Sequence, residues 1–334
     1  MKLSYEQIKA ITLGAERVEQ TSGGVSLSRF NEREEAAYRP SERFYLRSLS
    51  SSGICLSFST DSRFLTLGVT VSPGGSRTYY SFDLFVNGKM TDRLSNLDPK
   101  APPRNYTELS HPLGNAEKTF SLGEGEKQIA LYLPFSTKTV LRELSLDDHA
   151  SVTPIKPKKR LLCYGDSITQ GYDVLSPSCK YTTRLARYLG AEEINKGIGG
   201  ALFFPALAEA ASELSPDLIT VAYGTNDWSA LPETDFTENC DGFLSRLSAR
   251  YPETETLVLT PIWRKDHTDR HPLGRFSRAG EIISACAERH PQMRVIDGFD
   301  LVPHDEALFG DLSLHPNDEG FSFYFENLVK KAGL

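Results

Sequence analysis

Hydrophobic residues alternate with polar ones through the first half of the chain and gather into short unbroken runs through the second. In SRFLTLGVTV, Leu65, Leu67, Val69 and Val71 alternate with polar or small residues, and in YYSFDLFVNGK, Tyr80, Phe82, Leu84 and Val86 do the same. A period of two places every second side chain on one face of a strand, so each run predicts a strand with one buried face. The second run ends in Asn87-Gly88, a pair suited to the positive φ values of a tight hairpin turn. ICLSFS, KQIALYLP and VLRELSL continue the pattern, separated by Ser, Gly, Asp and Pro. Such spacing predicts an antiparallel β-sandwich of jelly-roll type. Ahead of it, residues 4–20 are compatible with helix, strand or loop.

The proline- and lysine-rich tract TPIKPKKR, residues 153–160, has no apolar face and reads as a linker dividing the chain into residues 1–154 and 155–334. Beyond it LLCYGD, AEEIN, DLITVAYG, ETLVLTPI and MRVIDG are strand-length apolar runs. Helix-length stretches lie between and after them, at roughly 179–189, 203–213, 235–250, 276–290 and 317–332. This alternation predicts an α/β unit, a parallel sheet with helices on both faces. Sheets of that kind bind ligands at the carboxyl ends of their strands.

With 44 acidic against 37 basic residues the net charge is −7, which argues against nucleic acid or an anionic membrane as partner and is neutral towards a sugar. No apolar run approaches the roughly 18–20 residues that span a bilayer. MKLSYEQIKAITLGAERVEQ lacks the apolar stretch of a signal peptide, and the five cysteines are scattered without a CxxC pair. Together these predict reduced thiols in a cytoplasmic protein.

Candidate chemistry sits just past the predicted strands. LLCYGDSITQGY ends a buried run in a turn that displays Ser167; KGIGGAL follows with glycines at 197, 199 and 200; GTNDW carries Asn226; and GDLSLHPNDEGF holds Asp311 and His315 before the last helix. A serine is a poor nucleophile until a base takes its proton, and imidazole suits that task near neutral pH. Attack on a carbonyl then creates an oxyanion that needs preorganised donors. The amides of Ser167 and Gly200 and the side chain of Asn226 can supply three. A serine, a histidine and such donors are the parts of an acyl-transfer site.

GDSI, INKGIGGAL, GTND and LHPND, in this order, resemble the four blocks of the SGNH (GDSL-type) esterase and acylhydrolase family over residues from about 160 to 334. The resemblance implies a three-layer α/β/α fold, Ser167 as nucleophile, Gly200 and Asn226 in the oxyanion hole and His315 as base. One position departs from the family pattern. Its aspartate lies three residues before the histidine, where this chain has Leu312; Asp311 lies four before. Either Asp311 orients His315 or the site is a Ser–His dyad.

Other residues carry plainer readings. Asp166 caps the turn, Gly199 serves conformation, and Asp227 and Trp228 support the loop of Asn226. His267 and His271 with Asp266 and Asp269 invite a metal reading, but lie in a proline-flanked loop without a partner cluster, so no metal is expected. GIGGAL lacks the third glycine and downstream acid of a dinucleotide site, and no cofactor is implied. Trp263 and Arg264, after the fourth parallel strand, are candidates to face substrate.

The expectation is a serine esterase. A β-sandwich ahead of an SGNH domain resembles the architecture of several carbohydrate esterases, which points to a short acyl group, acetyl above all, on a sugar or oligosaccharide. Two alternatives stand beside it. One is a lipid or small-molecule acyl-ester hydrolase or thioesterase; the other is a carbohydrate-binding protein with a decayed catalytic domain, which would need exposed aromatics on one sandwich face.

Overall fold

A computed structural model describes residues 1–98 and 103–334. The chain opens with helix α1 (Tyr5–Ile11) and strands β1 (Thr12–Leu13), β2 (Arg17–Thr21) and β3 (Gly24–Ser28). Two short helices follow, α2 (Glu32–Tyr38) and α3 (Glu42–Ser48). Strands β4 (Cys55–Thr60), β5 (Phe64–Pro73), β6 (Ser81–Val86) and β7 (Lys89–Ser95) come next. The antiparallel part closes with β8 (Gly114–Ser121), β9 (Lys127–Tyr132), β10 (Thr137–Leu146) and β11 (Thr153–Pro154).

These strands form two antiparallel sheets, β1-β4-β9-β6-β7 with β11 beside β4, and β2-β3-β10-β5-β8. The alternating residues of β5, Leu65, Leu67, Val69 and Val71, are buried with Phe58, Phe82, Leu84, Ile129 and Leu131 in one core between the sheets. Asn87 (φ 50°) and Gly88 (φ 78°) turn the β6–β7 hairpin, as their pairing predicted. The stretch 4–20 resolves into α1, β1 and most of β2.

From Lys159 the architecture changes. Strand β12 (Lys159–Gly165) leads to the short helix α4 (Ser167–Gln170), α5 (Tyr181–Leu189) and β13 (Ala191–Asn195). Then come α6 (Pro205–Glu209), β14 (Leu218–Ala222), α7 (Thr225–Ala230), α8 (Glu233–Arg250) and β15 (Thr256–Leu259). The chain ends through α9 (Ser277–Ala287), β16 (Met293–Ile296) and α10 (Asp318–Ala332). The five strands are parallel in the order β13-β12-β14-β15-β16. Leu161 and Cys163 of β12 pack towards α5 and α10, whereas Leu162 and Tyr164 pack towards α8 and α9. Burial on both faces explains why the central strands β12, β14 and β15 read as apolar runs, while the edge strands β13 and β16 carry charged residues. The result is a three-layer α/β/α unit preceded by a β-rich one.

Sequence neighbours of β12 diverge to its two sides, β13 on one and β14 on the other. That reversal of strand order opens a crevice at the carboxyl ends, and residues 166–167 emerge into it. The helix expected at 203–213 is shorter, confined to Pro205–Glu209; ahead of it the Ala201 carbonyl accepts from Asn226 and the Phe203 amide donates to Asp227.

The two halves are joined by buried charge. Lys196, fully buried after β13, donates to Glu16 (2.9 Å), Glu34 (2.6 Å) and the Arg29 carbonyl (2.7 Å) of the amino-terminal half. Arg29, equally buried, donates to the carbonyls of Asn195 (2.9 Å), Gly197 (2.7 Å), Ser50 (3.0 Å) and Arg47 (2.9 Å). The glycine-rich loop after β13 is thus tied down from the sandwich side.

Candidate active site

Gly165 ends β12 where a side chain would collide with Thr169 and the Ala222 carbonyl, so the chain can turn sharply into α4. Asp166 caps that helix by accepting the Ile168 amide (2.9 Å), and Ser167 is its first residue. Burial pushes the Asp166 carboxyl up to about 6 against that hydrogen bond. The Ser167 hydroxyl donates to His315 Nε2 at 2.8 Å, and His315 Nδ1 donates to Asp311 Oδ2 at 2.6 Å. The other Asp311 oxygen accepts the amides of Ser313, Leu314 and His315 at 2.9, 2.7 and 3.0 Å. The loop takes up its extra residue by placing Leu312 in the left-handed region (φ 59°), so Asp311 reaches the imidazole from four residues away.

Electrostatics follow from these contacts. Burial disfavours the imidazolium, yet the hydrogen bond and charge of Asp311, with Asp173 behind, outweigh it and raise the His315 pKa above its ordinary value. Asp311 is likewise desolvated, but His315 and the amide cradle hold it well below the usual carboxylate range.

A second carboxylate stands behind the histidine. Asp173 Oδ2 lies 3.6 Å from His315 Nδ1 and is fully buried. Arg77 of the sandwich half neutralises it with a two-pronged contact, Nε to Oδ1 at 2.7 Å and Nη2 to Oδ2 at 3.0 Å. Tyr79 also donates to Oδ1 at 3.3 Å. The Tyr172 ring covers the imidazole with centroids 5.5 Å apart. None of these contacts was foreseen in the sequence, where Arg77 and Asp173 are 96 residues apart.

The glycine loop faces the same crevice. Gly200 has φ 74°, and a methyl group there would collide with the Arg43 guanidinium and lie 2.9 Å from that of Arg47. Gln170 Oε1 accepts the Gly199 amide at 2.7 Å, and Arg47 donates to the Gly199 carbonyl. That carbonyl and the Gly200 N–H belong to one peptide, so Arg47 both fixes and polarises a group whose N–H has no acceptor among the described residues. Among the described residues, the amides of Ser167 and Gly200 donate to no protein acceptor. Asn226, behind Gly224 (φ 112°), donates one side-chain N–H to the Ala201 carbonyl at 3.0 Å and keeps the other. Asp227 accepts the Phe203 amide (2.9 Å) and Trp228 donates to the Gly274 carbonyl (2.8 Å), both supporting roles.

Trp263 and Arg264 are placed otherwise than the substrate-facing expectation. Trp263 is packed in the core, stacked on His304 with centroids 5.4 Å apart and against Phe309. Arg264 is bound to Asp266 and donates to the Thr225 carbonyl and hydroxyl at 3.1 and 3.0 Å, bracing the turn before Asn226. Asp266, Asp269 and His271 do come within reach of a shared cation, as do Asp173, Asp311 and His315. In the first group Arg264 already occupies Asp266; in the second Arg77 and His315 occupy the carboxylates. The sandwich aromatics Tyr79, Tyr80, Phe82 and Phe85 are all buried and offer no sugar-binding face.

A cavity of about 420 Å³ is lined by Ala201, Tyr38, Phe44, Phe203 and Phe204. It lies between the α2–α3 helices and the loop after Gly200.

A parallel α/β unit with a Ser–His–Asp chain at its carboxyl edge defines the class of serine hydrolases. The GDSL-like lipase/acylhydrolase family model matches residues 163–322, a span from β12 to past His315, and supports a carboxylic ester hydrolase. No curated protein matches the sequence. Among solved structures, the chain is similar to the salicylyl-acyltransferase SsfX3 of a tetracycline biosynthetic pathway: 20% identity, 96% of this chain and 93% of that one covered, TM-score 0.80. It is similar also to a Bacteroides ovatus protein assigned as a GDSL-like lipase, with 18% identity, 100% and 98% coverage and TM-score 0.77. An acetyl xylan esterase, Est2A, from the rumen bacterium Butyrivibrio proteoclasticus shares 14% identity over 100% and 98% of the chains, with TM-score 0.63. At these identities the likeness is one of fold.

Proposed function

We propose that the protein is a serine esterase that removes a short acyl group, acetyl in the first instance, from a carbohydrate or related alcohol. The observation that carries the reading is the continuous chain from Ser167 to His315 to Asp311, at 2.8 and 2.6 Å, beside amides with no protein acceptor. In this reading Ser167 Oγ attacks the ester carbonyl as His315 Nε2 takes its proton. The amides of Ser167 and Gly200 and the free N–H of Asn226 receive the oxyanion. His315 then protonates the departing alcohol, and water repeats the sequence on the acyl-enzyme to release the acid. Losing one such donor typically costs about 2.7–4 kcal/mol of transition-state stabilisation.

The sugar assignment draws on the two-part architecture shared with the xylan esterase fold. The aromatic cavity beside Ala201 favours a second reading, a small-molecule ester with a larger, apolar acyl or alcohol part. A panel of acetylated xylo- and manno-oligosaccharides, p-nitrophenyl acetate and p-nitrophenyl octanoate, run on wild type and Ser167→Ala, separates them. Acetyl preference with loss in Ser167→Ala supports the deacetylase; strong octanoate preference supports the alternative. Absence of any Ser167-dependent turnover, and of labelling by a fluorophosphonate, rejects both.

A further inference from the structure

We infer that Arg43 and Arg47 form a carboxylate-binding subsite at the lip of the oxyanion loop, so that the natural ester carries a carboxylate on its acyl or its alcohol part. The inference rests on the esterase reading above and narrows its substrate class.

Both guanidinium groups lie against Gly200, one peptide from the donors proposed for the oxyanion. They come from successive turns of α3, where a spacing of four residues stacks side chains on one helix face. Arg43 is exposed and Arg47 half-buried, and among the described residues neither forms an ion pair. Among the described residues, Arg47 donates to the Gly199 carbonyl alone, and Arg43, beside Gly200, makes no hydrogen bond and lies 5.6 Å from the Phe44 ring centroid. The other arginines around the crevice differ: Arg77 is paired with Asp173 and Arg264 with Asp266. In a protein with seven more acidic than basic residues, two unpaired cations side by side at a catalytic rim are an unbalanced arrangement. Burial, and then the charges of Arg43 and Arg77, hold the Arg47 guanidinium below the ordinary arginine range. A bound anion would relieve that repulsion. Planar guanidinium groups match the two oxygens of a carboxylate, and the aromatic cavity lined by Phe44, next to Arg43, and Ala201, next to Gly200, can take the apolar body carrying it.

Two pairs of esters test this and tell the sources apart. Mono-p-nitrophenyl succinate against its methyl ester puts the charge on the acyl side; 4-acetoxybenzoate against methyl 4-acetoxybenzoate puts it on the alcohol side. The charged member of one pair should exceed its neutral partner in kcat/KM by about tenfold or more at low salt, as expected for hydrogen bonds to a charged group. The ratio should fall towards one in Arg43→Gln, remain partly in Arg43→Lys, and shrink at high salt. Ratios of one or below in both pairs, or a ratio that Arg43→Gln leaves intact, would overturn the subsite while Ser167-dependent turnover of the neutral esters kept the esterase reading. Should no ester be turned over, calorimetric titration of wild type and Arg43→Gln with succinate and benzoate decides: salt-sensitive binding lost in the variant supports the subsite, and equal or no binding rejects it.

Discussion

At the residue scale the site turns on how His315 is held. Its proton sits on Nδ1 because Asp311 accepts there, which leaves Nε2 free to take the serine proton. Asp311→Asn should lower kcat by on the order of 1,000-fold, since a comparable change that reverses the imidazole tautomer costs about 10,000-fold elsewhere. The loss should be smaller than in His315→Ala, because Asp173 remains 3.6 Å from Nδ1. Steady-state rates of the two variants check the order; equal losses would show that Asp173 contributes nothing. The pH profile follows by sign. A base whose pKa is raised stays protonated, and idle, to a higher pH, so the acid limb of kcat/KM should lie above the ordinary 6.5 of histidine. Removing the Asp311 charge removes the main cause of that rise, so the limb should move to lower pH in Asp311→Asn.

At the scale of elements, the parallel strands and the loops that follow them were legible because their chemistry is local. The central strands β12 and β14 are buried and apolar, and Ser167 and Asn226 come within four residues of their ends, whereas Gly200 follows the polar edge strand β13. The loop of Asp311 was legible only as a choice between triad and dyad. What settles its geometry is Leu312 in a left-handed conformation, which no residue preference announces, since glycine or asparagine would be expected there. Helices α2 and α3 escaped notice for a different reason. EREEAAY carries four charged residues in seven, yet Glu34 and Glu35 are buried, their charges met by Lys196 and Arg17. Lys196 is 162 positions away from Glu34, so the pattern that would mark the helix as buried is split across the chain. The glycine loop offers the element-scale test. Gly200→Ala forces a side chain into a positive-φ position and against Arg43 and Arg47, so the loop must shift. Turnover should drop by about 100-fold or more with little change in melting temperature, as read from kcat and thermal unfolding; unchanged kcat would show that the Gly200 amide is not an oxyanion donor.

At the scale of the molecule, the sandwich half is part of the site's construction. It supplies Arg77 to neutralise Asp173, Arg47 to hold the Gly199 carbonyl, and Arg29 to hold Asn195 and Gly197. None of these could be read from motifs, because a motif records neighbours in sequence and these are neighbours across two sheets. Lys196→Ala should therefore destabilise the whole chain by about 3–5 kcal/mol, the cost of leaving the buried Glu34 carboxylate, with half-buried Glu16 beside it, without its cation. Chemical denaturation should show one transition shifted to lower denaturant; a second transition, with the first unmoved, would mean that the halves unfold independently. Residues 155–334 produced alone should lack esterase activity even where folded, since Asp173 and the glycine loop lose their clamps.

Pro154 is paired to Phe58 on the last antiparallel strand, and Lys159 is paired to Ala191 on the first parallel one. Four residues bridge the two, too short a rope for one half to swing away from the other while Arg29 and Lys196 stay engaged. Any opening of the crevice must therefore come from its own loops and helices, not from a parting of the two halves.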